Sequence, residues 1–147
     1  SRTRQNLGKP ADRRIWRVCR NILVADSDSQ AEDILADPDG TFAFYYRYIR
    51  GVRQIEEFRD KQTESIETLN ELLEVPQALV ACVIAGSTST VLERLIEMTD
   101  TLGRFGTLVM VAQDWDDPTL WRSSMKRLAE DITLTLSQYA DQLPALD

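Results

Sequence analysis

The chain has 147 residues, 43% of them apolar and 28% charged, with a net charge of −7. That is enough chain for one domain with a real core, and no apolar run approaches the ~20 residues of a membrane span. Histidine is absent, which excludes a Ser-His-Asp triad, a His-ligated zinc and an imidazole proton shuttle within this chain.

The start, Ser1-Arg2-Thr3-Arg4, has no apolar stretch behind it and does not read as a secretory signal. Cys19 and Cys82 are 63 residues apart with no CxxC spacing, so neither a zinc knuckle nor a thioredoxin-type motif is available. Each lies in an apolar stretch. Buried, reduced thiols in a cytoplasmic protein are the plain expectation, and a disulfide the sharper one. Charge is uneven. Residues 1–20 carry seven basic side chains and one acid, Asp12, for +6, which leaves −13 on the other 127 residues. The basic arm could attract phosphates, but the acidic body repels a nucleic-acid backbone and no nucleic-acid motif accompanies the arm. Residues 1–14 are polar, carry Gly8 and Pro10, and read as a basic coil or linker.

Residues 15–25 end in the apolar run Ile22 to Ala25, fit for a buried strand. Ser27 with Gln30 forms a capping-box signature, so a helix is predicted from Asp28 to Ala36. Asp37-Pro38-Asp39-Gly40 ends it as a turn. A second helix is predicted from Phe42 to about Lys61, rich in aromatics and weakened by Gly51. A third is predicted over Thr63 to Leu73, before Pro76. Val80 to Ala85 reads as a strand. Gly86-Ser87-Thr88 then turns into a helix over Ser89 to Leu102, with Gly103 ending it. Thr107 to Ala112 is another apolar strand. Asp117-Pro118 supply the N-cap and first turn of a last helix through about Leu136.

Short apolar strands alternating with amphipathic helices predict an α/β fold, helix-rich, with parallel strands and crossover helices. Three such strands make a poor complete sheet, which suggests a piece of a larger structure. In parallel α/β folds functional groups gather at the C-terminal ends of the strands. Three ends can be named: Asp26-Ser27-Asp28, Gly86-Ser87-Thr88, and Gln113 through Asp117. Gly86, Ser87 and Thr88 could receive a phosphate at a helix N-terminus, or could simply cap that helix. No lysine follows, so this is not a Walker motif. Asp114, Asp116 and Asp117 could hold a hard cation, or be a solvated loop with an N-cap; no metal is expected. Asp26 and Asp28 read as helix-start residues. Tyr45, Tyr46 and Tyr48 could line a flat ligand or pack in the core. Trp16 and Trp121 read as packing residues.

Three blocks, in order, resemble the luciferase-like, flavin-dependent monooxygenases. Trp16-Arg17-Val18-Cys19-Arg20, followed by Val24-Ala25-Asp26-Ser27-Asp28, is similar to that family's "WR-x-x-R-x-x-x-VA-D-T/S-D" stretch. Gly86-Ser87-Thr88 with Val91 is similar to its "GSP-x-x-V" block, Thr88 standing where proline is usual. Phe105-Gly106-Thr107-Leu108, then Asp114-Trp115-Asp116-Asp117-Pro118, Trp121 and Ser124-Met125, resembles its last strand and helix, Gln113 standing where histidine is common. The resemblance covers about residues 15–137. It implies a TIM-like (β/α)8 barrel of which residues 15–147 would be a C-terminal fragment, near the sixth to eighth strands. It implies reduced FMN as cofactor, dioxygen as co-substrate and a small organic substrate. A flavin reductase as partner, and a homo-oligomer in the full-length protein, follow from the same likeness. Gly86, Ser87 and Thr88 would contact the cofactor phosphate, and Gln113 would face the barrel mouth towards substrate. No catalytic residue is assigned, since in such chemistry the flavin activates dioxygen and the protein supplies position and a dry cavity. The fragment alone would be inactive.

Two other readings compete. One is a stand-alone, non-catalytic interaction module that uses the helices over residues 42–73. The other is a deazaflavin-dependent oxidoreductase of the same superfamily.

Overall fold

The computed structural model describes residues 12–60, 75–113 and 117–144. The basic arm up to Ala11, the helix predicted over Thr63 to Leu73, and the three residues Asp114, Trp115 and Asp116 lie outside the described residues.

Asp12 caps a short 3-10 turn, Arg13–Ile15, by accepting from the Arg14 N–H at 2.9 Å. Strand β1, Arg17–Val24, follows. Helix α1 spans Asp28–Ala36, as the capping box predicts. Ser27 Oγ accepts from the Gln30 N–H at 3.2 Å, and Gln30 Oε1 reaches back to the Asp26 N–H at 2.7 Å. The Asp37-to-Gly40 turn leads into α2, Thr41–Asp60. Phe42 and Ala43 point into the core, whereas Phe44 and Tyr48, one turn apart, are exposed. Tyr45 and Tyr46 are half-buried.

The predicted strand Val80–Ala85 needs correction. Residues Val75–Cys82 form a helix, α3, and only Val83–Gly86 is strand, β2. A short apolar run suits either state. Pro76 lies in the first turn of α3, where a missing N–H costs nothing. Leu79 is buried and Val80 exposed. Helix α4 runs Thr88–Leu102 from its Ser87 N-cap to Gly103, whose φ of +71° suits glycine. Strand β3 is Thr107–Val111. Asp117 caps α5, Pro118–Arg127, accepting from the N–H groups of Thr119 and Leu120 at 3.0 and 2.9 Å. A π-helical turn, Leu128–Ile132, joins α5 to α6, Thr133–Gln142. No described helix is long and apolar enough to cross a membrane.

Among the described residues all strand pairing is parallel, in the order β2-β1-β3. The pairing is staggered. Arg17 to Asn21 of β1 pair with β3, and Asn21 to Val24 pair with β2. Where β3 has ended, α5 takes its place: the Val24 N–H donates to the buried Ser124 Oγ at 2.8 Å.

Successive β1 side chains serve opposite faces. Leu23 and Ala25 join Ala31, Leu35, Phe42, Leu79 and Trp121 in one cluster. Ile22 and Val24 join Val91, Leu95 and Ile132 in the other. Trp121 meets Phe42 with ring centroids 5.6 Å apart, and Trp16 lies half-buried beneath the Arg13 guanidinium.

The parallel, helix-rich α/β class is as predicted. The barrel arc is not what the described sheet forms. Consecutive barrel strands are neighbours and carry helices on one side, so β2 would lie in the middle. Here β1 does, and helices cover both faces. The cysteines also differ from expectation. Both are unbonded and exposed. Cys19 lies in the open N-terminal half of β1, and Cys82 is the last residue of α3.

Candidate functional site at the strand ends

Parallel strands bring two of the named chain ends to one rim of the sheet, and Gln113, the start of the third, follows β3, which ends level with Asn21. Asp26 to Asp28 and Gly86 to Thr88 meet there. The Ala25 N–H donates to Gly86 O at 2.8 Å, extending the ladder past β1. Asp28 Oδ1 then accepts from the Ser87 N–H at 2.7 Å.

Gly86 is required at that step. Its φ is +154°, and a Cβ there would come within 2.8 Å of both Asp28 Oδ1 and Thr90 Cγ2. Ser87 Oγ accepts from the Thr90 N–H at 3.4 Å and lies 3.1 Å from the hydroxyls of Ser89 and Thr90. The Ser87 N–H, and with it the Thr90 and Ser87 hydroxyls, hold the Asp28 carboxyl below its ordinary value; partial desolvation opposes them. The Gly86-Ser87-Thr88 turn therefore caps its helix, as one reading of the sequence had it. It also already holds an anion, the Asp28 carboxylate. That Asp28 reaches across to α4 was not legible, because the two residues are 59 apart.

On the other side of the rim Arg127, in the last turn of α5, pairs with Asp26. Arg127 directly precedes the π-helical turn, a feature frequent at functional sites. Nothing in the sequence signals that turn.

Gln113, two residues past β3, is 2% exposed, and its Oε1 meets no donor among the described residues. Asn21 Oδ1 is also buried and unpaired. Asn21 pairs with Val111, the last residue of β3, so both orphan oxygens belong to the point where β3 ends. The sequence singled out Gln113 and missed Asn21, whose burial follows only from the pairing on both sides of β1.

An open cleft of about 400 Å³ lies beside the rim, between α1, the start of α2 and the start of α5. Asp33, Asp37 and Asp117 give it an acidic wall, with Phe42 and Leu120 as apolar floor. Its acidity does not suit a phosphate. Among the described residues, no group of three or more His, Cys, Asp or Glu is placed to hold a metal ion.

No family model matches the chain. It is 30% identical over 123 residues to 4-hydroxyprotoasukamycin monooxygenase of Streptomyces nodosus subsp. asukaensis, a stretch that is 84% of this chain and 30% of that protein. Among solved structures it is similar to the oxygenating constituent of 3,6-diketocamphane monooxygenase from the CAM plasmid of Pseudomonas putida, a type II Baeyer-Villiger monooxygenase in complex with FMN. There the TM-score is 0.63 and the identity 21%, over 99% of this chain and 39% of that one. The likeness in three dimensions is one of fold, and the chain spans between 30% and 39% of the length of these two relatives.

Proposed function

We propose that this chain is a section, from the C-terminal part, of a flavin-dependent monooxygenase that uses reduced FMN and dioxygen to oxidise a small organic substrate. The observation that carries the reading is the buried Gln113 amide at the end of β3, whose acceptor oxygen finds no partner among the described residues. A ring with N–H donors would complete it. The two similar proteins support the class: both are monooxygenases by name, and one holds FMN.

Reduced flavin, when bound, supplies the electrons that place one oxygen atom of dioxygen on the substrate and release the other as water. The residues of this chain would bind and orient. Gly86, Ser87 and Thr88 are the proposed phosphate contacts. On this reading the phosphate displaces Asp28 from the Ser87 N–H, one anion replacing another at the start of α4. Gln113 serves the ring or the substrate.

The section reading is supported by β3. Its Leu108 to Val111 are half-buried apolar residues on an outer edge of the sheet, and such an edge favours a further strand. A flavin reductase as partner fits the structural relative, which is described as the oxygenating constituent of its monooxygenase. A homo-oligomer, and the cytoplasm as compartment, complete the proposal.

Flavin fluorescence titration tests it. The isolated chain is expected to bind FMN weakly or not at all; micromolar, stoichiometric binding would overturn the section reading.

A stand-alone interaction module has one observation in its favour, the exposed pair Phe44 and Tyr48 on α2. It requires a monodisperse monomer with both outer strands protected from hydrogen exchange. Rapid exchange along β3 would remove it.

A further inference from the structure

We propose that the open cleft beside the rim binds a small organic cation, an aliphatic amine whose ammonium groups meet Asp33, Asp37 and Asp117 while its carbon chain lies on Phe42 and Leu120. Nothing in that lining depends on a flavin. The cleft holds about 400 Å³ between α1, the start of α2 and the start of α5, within the range of small-molecule sites. Asp33 stands in the last turn of α1 and Asp37 is its C-cap, and no basic side chain occupies that turn. Negative charge is disfavoured there, because a helix already presents its carbonyl oxygens at that end. Asp37 Oδ1 accepts from the Asp39 N–H at 2.9 Å, and Asp117 Oδ1 from the N–H groups of Thr119 and Leu120. Each keeps a second oxygen and its charge. Among the described residues none of the three carboxylates enters an ion pair.

Thr41 points to an occupant independently of the acids. It is 9% exposed and lines the same cleft, and its hydroxyl has no hydrogen-bond partner among the described residues. A polar group so deeply buried is rarely left without a partner, so its oxygen suits a donor that arrives from the cleft. An ammonium group brings three N–H donors and a positive charge, and serves carboxylate and hydroxyl alike. An anion is repelled by the wall. A metal ion does not match it either, since no three acidic groups among the described residues are placed to hold one. The negative charge is spread along the wall instead, above the apolar floor of Phe42 and Leu120. A short chain of methylenes with an ammonium at each end meets both conditions.

The test is isothermal titration calorimetry of the full-length protein at low salt with 1,5-diaminopentane, pentylamine and 1-pentanol, which share a carbon chain and differ in charge. The diamine is expected to bind most tightly, the monoamine about fivefold more weakly, and the alcohol not measurably. Raising salt to about 0.2 M should weaken the diamine several-fold. Asp33→Asn is expected to cost about fivefold in diamine affinity. Asp33 is exposed at a helix end that disfavours it, so the variant should fold with an unchanged or raised Tm. Thr41→Val is expected to lose several-fold and Thr41→Ser to keep the affinity. Glu97→Gln removes an exposed charge from α4, away from the cleft, and should change nothing. Alcohol binding equal to that of the diamine, or a loss in Glu97→Gln as large as in Asp33→Asn, overturns the inference. So does the absence of diamine binding at about 10 mM; a fall in Tm for Asp33→Asn beside that absence would give the cleft to a lysine or arginine of the same protein. Each of these results leaves the flavin reading standing.

Discussion

Asp28, at the start of α1, accepts the N–H of Ser87, the N-cap of α4, at 2.7 Å. One carboxylate therefore serves two helices, ties the ends of β1 and β2 together, and stands where the proposed phosphate would.

Its titration gives a pH signature. The Ser87 N–H, with the hydroxyls of Thr90 and Ser87, lowers the Asp28 pKa from 3.8. A carboxyl with a lowered folded pKa stabilises the fold fully above its unfolded value, and that share is lost as pH falls through the folded value. Wild-type protein is expected to melt above Asp28→Asn near neutral pH, with the gap closing below about pH 4. Thermal melts from neutral to acid pH check this; a gap independent of pH contradicts it.

The same residue should compete with the phosphate. Asp28→Asn weakens the incumbent acceptor and removes a negative charge from the proposed phosphate position. In the full-length protein FMN is expected to bind several-fold more tightly to Asp28→Asn, while riboflavin, which has no phosphate, binds unchanged. Equal effects on the two ligands, read by fluorescence titration, would argue that the phosphate lies elsewhere.

Ser124 is fully buried and stands in for a strand partner of Val24. Ser124→Ala leaves a buried N–H without an acceptor, at a cost of about 1–3 kcal/mol. Chemical denaturation measures it. A loss under ~0.5 kcal/mol would mean that water or another group takes over.

Two glycines should respond in opposite directions to alanine. Gly86 has a φ of +154° and no room for a Cβ, so Gly86→Ala is expected to cost about 1–3 kcal/mol. Gly51 lies within α2 with nothing within 4 Å of a built Cβ. Gly51→Ala should stabilise by ~0.5–1 kcal/mol. Denaturant melts of the pair separate local strain from a general intolerance of substitution.

Local signals were legible in the sequence. Ser27 with Gln30, Ser87, Gly103 and Asp117-Pro118 each cap where the spacing says they do, since a cap is an interaction over three or four residues. Val75 to Cys82 was not legible, because its apolar run, Ala78 to Cys82, is too short to carry a decisive period and continues into β2. The strand order was not legible either: it depends on which faces the helices cover, and Leu23 and Ile22 report that only once packed. Of the proposed site, Gly86, Ser87, Thr88 and Gln113 could be named from their place after a strand. Asn21, Asp28 and Arg127 enter through long-range contacts that no spacing encodes.

Equilibrium dialysis of the full-length protein against FMN tests the central claim most directly. The account predicts one flavin retained per chain. Protein that equilibrates with no flavin above the free concentration would contradict it.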